Sequence, residues 1–306
     1  MRVLFAGTPG VAIPSLDALV SAGFDVVAVL TRPDAPVGRK RILTPSPVAA
    51  HAQELAIPVI HAARIDAAAA QQIAACRPDV AAIVAYGALI PAAALSIPAQ
   101  GWINLHFSLL PSWRGAAPVQ HAVINGDAVS GASTFRLETG LDTGPVFDTV
   151  TEPVQPQDTS TDLLGRLAHR GAALLTQTLR EMEAGRAQAR VQQGTVTLAP
   201  KLTIEDARID WAQPANRVGA RIRGVTVEPG AWTTLAGQRL KLGPVLLRSE
   251  TMEMAPGALR VEAGAVLVGT LSHAVELVQV QPAGKKMMQA KDWARGLADT
   301  EGMVLV

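Results

Sequence analysis

Arg2-Val3-Leu4-Phe5-Ala6 runs into the turn Gly7-Thr8-Pro9-Gly10, then into Ile13–Ala22 and Phe24–Leu30. The first run is short and apolar, which is strand length. Gly and Pro break it, and the apolar positions of Ile13–Ala22 recur at helical spacing. The β-branched run Phe24–Leu30 completes a strand–turn–helix–strand unit. The same alternation continues outward. A helix is expected at Val48–Leu55, a strand at Pro58–Ile60, a helix at Ala67–Ala75, an apolar strand at Asp79–Ala85 and another strand at Trp102–His106. A strand near Pro145–Thr151 and a long helix near Thr161–Ala184 follow. Strands apolar on both faces, alternating with helices, predict an α/β domain with a mostly parallel, helix-covered sheet. Its crossovers are then right-handed.

The texture changes further on. Gln192–Lys201 has little periodicity and reads as linker. The expected boundaries are a first domain over 1–191, a linker over 192–206 and a second domain over 207–306. A helix at Pro214–Arg223 leads into strands at Ala231–Leu235, Arg239–Leu247, Ala258–Val261, Val266–Gly269 and Ala274–Gln281, with a closing helix at Ala290–Leu297. Five short strands with Gly-rich turns predict a small β-barrel.

Composition excludes several classes. The 306-residue chain has a net charge of +1, so it lacks the overall basic excess of many nucleic-acid binders. Local clusters exist at Arg39-Lys40-Arg41, at Arg217, Arg221 and Arg223, and at Lys285-Lys286 with Lys291. Such clusters are as a rule solvated surface, and charge alone does not establish RNA binding. No apolar run is long enough to span a membrane. The first strand breaks too early for a signal peptide. Cys76 is the only cysteine, so no intrachain disulfide forms, as in a reducing compartment. A cytoplasmic location is expected.

The chemistry concentrates in a few segments. Gly7 and Gly10 flank Pro9 and match neither a dinucleotide fingerprint nor a Walker loop. In an open α/β sheet that turn can still line a pocket. Asn104 and His106 project from one face of the strand Trp102–His106, because side chains alternate with period two. An amide can donate to an oxyanion and an imidazole can move protons near neutral pH, a combination suited to acyl transfer. A core histidine bonded to a neighbouring loop is the competing reading. Gly140-Leu141-Asp142-Thr143-Gly144 sets an acid in a sharp turn, where it can orient the ring or simply bond its own loop. The remaining histidines lack metal-ligand spacing, so no metal site is expected.

Together, Asn104-x-His106-x-Ser108-Leu109-Leu110-Pro111, Arg114-Gly115-Ala116-Ala117-Pro118 and Gly140-Leu141-Asp142-Thr143-Gly144 resemble the 10-formyltetrahydrofolate-dependent formyltransferases. Phe5–Pro9, Pro33–Arg41 with Pro45-Ser46-Pro47, Val84–Gly87, Glu205–Trp211 and Gln281–Lys286 resemble the members that formylate methionyl-tRNA. The similarity spans nearly the whole chain. It implies a Rossmann-like catalytic domain followed by a small OB-like barrel that helps hold tRNA. It implies Asn104, His106 and Asp142 as the catalytic set, with Asp142 holding His106 and raising its pKa toward the imidazolium. Folate contacts are implied at Ser108, Leu109, Leu110 and Pro111, at Tyr86, Gly87, Leu89 and Ile90, and around Glu138–Asp142. Arg39, Lys40, Arg41, Arg217, Arg221, Lys285 and Lys286 are implied to meet tRNA. The formyl donor is then 10-formyltetrahydrofolate, used as a cosubstrate without metal. The acceptor is initiator methionyl-tRNA, the role is in translation initiation, and a monomer is expected. Phe107 departs from relatives that carry glycine there, adding bulk beside the strand.

Rival readings stay open on the residues alone. The acceptor can be an amino sugar nucleotide or glycinamide ribonucleotide. The formyl donor can instead be hydrolysed, or the chain can be a non-catalytic tRNA binder on an enzyme fold. Keeping all of Asn104, His106 and Asp142 argues against the last.

Overall fold

The computed structural model describes residues 1–38, 40–249, 254–297 and 302–306. They divide into two compact units, each with segments from distant parts of the chain. One comprises Met1–Gly115, Ser130–Pro153 and Leu164–Leu198. The other comprises Ala116–Val129, Val154–Leu163 and Ala199–Val306.

The first unit is built on a seven-stranded sheet. Its strands are β1 (Arg2–Gly7), β2 (Asp25–Thr31), β3 (Val59–His61), β4 (Val80–Val84), β5 (Trp102–His106), β6 (Val129–Arg136) and β7 (Val146–Pro153). They lie in the order β7-β6-β5-β4-β1-β2-β3. From β3 to β5 all pairings are parallel, and β6 runs antiparallel to β5. Every residue of β4 is buried, as expected of a central strand covered on both faces. Helices Pro47–Glu54 and Ala67–Ala75 begin at Ser46 and Asp66, whose side chains accept the Ala49 and Ala69 amide hydrogens at 3.0 Å. Each cap satisfies one of the donors that a helix start leaves unpaired.

Strand order reverses between β1 and β4: the chain winds outward one way through β2 and β3 and the other way through β5. In such sheets the carboxyl ends of the parallel strands at a reversal of order are the usual place for a ligand. The ends of β4 and β5 therefore position the site.

The sequence reading omitted β6. Its residues Val-Ser-Gly-Ala-Ser-Thr-Phe-Arg look too polar for a buried strand, yet Ser130, Ser133 and Thr134 are all buried. The hydroxyls of two of them have partners. Ser133 Oγ donates to Ser108 O at 2.7 Å, and Thr134 Oγ1 lies 2.8 Å from Thr178 Oγ1. A satisfied hydroxyl can be buried at little cost, and hydropathy does not register that. The hairpin Ala35–Val37 with Ile42–Thr44 and the helix Pro118–Asn125 were likewise not anticipated.

The second unit contains two four-stranded antiparallel sheets where the barrel was expected. One joins Trp232–Leu235, Gln238–Leu242, Gln279–Pro282 and Met288–Gln289. The other joins Val245–Leu247, Val275–Leu277, Ala265–Val268 and Leu259–Glu262. The long strands expected at Arg239–Leu247 and Ala274–Gln281 each divide and contribute to both sheets. In the first the break falls at Gly243-Pro244, where proline has no N–H to donate to a ladder. Helix Ala215–Gly224 packs on helix Pro118–Asn125 through Gly224, where a Cβ would lie 2.4 Å from Ile124 Cγ1 and 3.0 Å from Gln120 O. Only glycine permits that approach. Among the described residues no helix is long and apolar enough to cross a membrane.

Candidate active site

Strand β5 carries Asn104 and His106 on the same face, paired on one side with β4 (Ile83 opposite Asn104) and on the other with β6 (Ser133 opposite His106). Leu105 points the other way, toward Gly171. His106 is 6% exposed, and its ring meets the Phe135 ring edge-on at 6.3 Å. Phe107 is buried as well.

Both ring nitrogens of His106 face acceptors. Nε2 lies 2.9 Å from the Trp113 carbonyl oxygen, which accepts only, so Nε2 carries the proton. Nδ1 lies 3.8 Å from Asp142 Oδ2. The neutral ring therefore presents its lone pair near a carboxylate, and the protonated ring has that carboxylate as its ion-pair partner. Burial nevertheless dominates and holds the His106 pKa below its ordinary 6.5, against the raising influence of Asp142 and of the Trp113 carbonyl. This corrects the expectation of a net upward shift. Asp142 pushes in the expected direction, but losing water around the imidazolium outweighs it, so the resting ring is neutral near pH 7.

Asp142 is held in turn. It has a φ of 50°, a left-handed conformation uncommon for residues other than glycine, though less so for aspartate than for most. Its Oδ2 accepts the Gly115 N–H at 2.8 Å. Two residues on, Gly144 lets the chain pass Arg136, whose carbonyl oxygen would lie 1.7 Å from any Cβ there. Asn104 is half-buried, and among the described residues its amide has no hydrogen-bond partner. A free donor, a neutral base and a counter-charge for that base thus stand together.

The loop after β5 is fixed through main-chain atoms. Ser108 Oγ donates to Ser112 O at 2.6 Å, and Ser133 Oγ accepts from Leu110 N at 3.2 Å. Leu109 packs over Gly131, and Pro111 is buried. At the end of β4 the Tyr86 ring is buried and its hydroxyl donates to Ala62 O at 2.7 Å. The Tyr86 main-chain carbonyl accepts from Thr8 Oγ1 at 2.7 Å. Gly87 O accepts from Arg32 Nη1 at 2.8 Å, Ile90 packs on the core and Leu89 is 86% exposed.

The basic residues divide between the units. Lys40 and Arg41 are exposed in the turn of the hairpin formed by Ala35–Val37 and Ile42–Thr44; Arg39 lies outside the described residues. Arg217 and Arg221 lie on helix Ala215–Gly224, and their Nη1 atoms donate to the main-chain oxygens of Asn125 (3.3 Å) and Asp206 (3.4 Å). A cavity of about 550 Å³ beside them is also lined by Glu205, Asp206, Arg208 and Asp210. Lys285 and Lys286 are exposed in the turn before Met288–Gln289. Sequence reasoning missed the Trp113 carbonyl, the Gly115 N–H and Gln192. The first two are main-chain groups with no side-chain signature. Gln192 sat in a stretch without periodicity.

The family model described as formyl transferase matches residues 1–179, and the model for the formyl transferase C-terminal domain matches residues 201–298. The methionyl-tRNA formyltransferase of Arthrobacter sp. (strain FB24) is 68% identical over 304 residues, 99% of this chain and 99% of that protein. That of Paenarthrobacter aurescens (strain TC1) is 67% identical with the same coverage. The crystal structure of an N-formyltransferase from Helicobacter canadensis, in complex with folinic acid and dTDP-3-aminofucose, superimposes with a TM-score of 0.70. It covers 92% of this chain and 99% of its own at 16% identity, which speaks for the fold alone. On the family models and the full-length identities, the chain belongs to the formyl transferase family, among its methionyl-tRNA formyltransferases.

Proposed function

We propose that this chain moves the formyl group of 10-formyltetrahydrofolate onto the α-amino group of methionine carried by initiator tRNA, with Asn104, His106 and Asp142 as its catalytic set. The observation that carries this reading is the unpartnered Asn104 amide beside a buried neutral imidazole backed by a carboxylate. As the amine attacks the formyl carbon, the carbonyl oxygen gains charge, and Asn104 donates to it. Nδ1 of His106 accepts the amine proton, and the imidazolium so formed has Asp142 as its counter-charge. The C–N10 bond then breaks and the proton passes to N10, leaving formylmethionyl-tRNA and tetrahydrofolate. Burial makes His106 a base at neutral pH, and Asp142 makes its charged form tolerable.

Folate contacts fall to Ser108–Pro111 and to the segment Tyr86, Gly87, Leu89 and Ile90. In this reading the catalytic domain spans 1–191, 192–206 links it to a tRNA-contacting domain over 207–306, and the chain acts as a cytoplasmic monomer. Arg39, Lys40, Arg41, Arg217, Arg221, Lys285 and Lys286 meet phosphate, so contact depends on local patches and needs no basic chain.

The test is formyl transfer from 10-formyltetrahydrofolate to initiator and elongator methionyl-tRNA. Preferential modification of the initiator supports the reading. Formate release without acceptor, or formylation of an amino sugar nucleotide in place of tRNA, overturns it. Arg41→Ala is expected to lower kcat/KM for methionyl-tRNA about tenfold, the value of one charge-assisted hydrogen bond. Folate affinity measured by titration stays unchanged. Equal loss of both contradicts the tRNA role of Arg41.

A further inference from the structure

Residues 190–199 are mostly exposed and lack periodicity, yet they pair closely with the start of β7 and the loop after β5. Arg190 and Val146 exchange main-chain hydrogen bonds at 2.8 Å, Arg114 N donates to Thr197 O at 2.9 Å, and Trp113 N donates to Thr197 Oγ1 at 2.8 Å. Within this segment Gln192 turns inward, while Val191 is 82% exposed. Its side-chain amide uses every hydrogen-bonding position it has. The two Nε2 hydrogens go to the Asp142 carbonyl at 2.7 Å and the Gly144 carbonyl at 2.8 Å. Oε1 accepts from Arg114 Nε at 3.1 Å and Nη2 at 2.7 Å.

These bonds close a ring. Gly115, next to Arg114, donates its N–H to the Asp142 carboxylate, and Gln192 grips both Arg114 and the Asp142 main chain. Asp142 sits at a positive φ, an uncommon backbone conformation for a residue other than glycine. Only an amide of this length can donate to two carbonyls while accepting from a guanidinium. Glutamate would set an oxygen against both carbonyls, and asparagine is one methylene short.

We propose that Gln192 is a positioning residue for formyl transfer, its amide clamping the Asp142 loop to Arg114 and so holding the Asp142 carboxylate at the His106 ring. This rests on the catalytic set assigned under Proposed function. The segment expected as a plain linker thereby takes part in the geometry of catalysis.

Gln192→Met keeps the stem and deletes all four hydrogen bonds, whereas Gln192→Glu keeps only the acceptor side toward Arg114. In Gln192→Met, kcat for formyl transfer is expected to fall about 10–100-fold, the usual effect of loosening a supporting residue. KM for 10-formyltetrahydrofolate changes by less than about threefold, since no folate contact is removed. Gln192→Glu, expected to lose rate similarly, serves if the methionine variant does not fold. In an Asp142→Asn background the further loss from Gln192→Met shrinks to about twofold or less, because the group being positioned is gone. In the ligand-free protein, the His106 titration followed by NMR moves to lower pH as the carboxylate leaves the ring. Undiminished loss in the Asp142→Asn background, wild-type turnover in a folded variant, or an unmoved His106 titration overturns the clamp. Should the wild-type chain transfer no formyl group, the reaction assignment fails by itself, and the titration still decides the clamp.

Discussion

Asn104→Ala is expected to lower kcat for formyl transfer about 10²–10³-fold, the cost of losing one oxyanion donor. The strand holds Asn104 and His106 on one face, and the Asn104 amide has no partner among the described residues. Its hydrogen-bonding capacity is therefore not spent on the fold. Truncation deletes no internal hydrogen bond and orphans no buried group, so the melting temperature should barely move and stability should stay within about 1 kcal/mol of wild type. Single-turnover formylation with saturating 10-formyltetrahydrofolate separates this chemical defect from binding. Unaltered turnover in the folded variant would remove Asn104 from the mechanism.

Asp142→Asn is expected to be the more damaging change, at about 10³-fold or more in kcat, by analogy with other His–Asp pairs in which the carboxylate stabilises the imidazolium that forms. The substituted amide oxygen can still accept the Gly115 N–H, so the loop keeps its shape. Its nitrogen then takes the place of Oδ1, and the atom nearest His106 Nδ1 becomes a neutral amide oxygen. The imidazolium formed in transfer has lost its counter-charge. The sign of the pH effect follows from the forces on His106: burial lowers its pKa, and the Asp142 charge partly raises it again. Removing that charge drives the pKa further down. The acidic limb of kcat/KM, where activity falls as His106 becomes protonated, should therefore move to lower pH in the variant. A limb displaced upward, or turnover near wild type, would refute this role for Asp142.

The first domain was legible because its signals are local. Ala67–Ala75 and Trp102–His106 occur with the bounds read from the sequence, and Arg2–Gly7 and Asp25–Thr31 differ by a residue or so. Apolar periodicity is set by the element itself, so it survives in a single sequence. Strand β6 was not legible, since its serines and threonine are buried by virtue of distant partners such as Thr178 and the Ser108 carbonyl. The sheets of the second unit were legible as short strands but not in their pairing. Gly243-Pro244 breaks what looked like one strand, and its two parts join different sheets.

By itself the sequence determined the α/β class, the residue types able to carry acyl transfer, and, by resemblance over nearly the whole chain, the family. It could mark Asn104, His106 and Asp142 because strand alternation and a glycine-flanked acid are local properties. Only the tertiary structure decided the protonation of His106, since burial of the ring and the 3.8 Å separation from Asp142 come from segments 36 residues apart in the chain. Only the tertiary structure turned Gln192 from a linker residue into a partner of Asp142, 50 residues away. Hydrogen bonds of that range leave no trace in periodicity or composition, because their geometry exists only once the chain has folded.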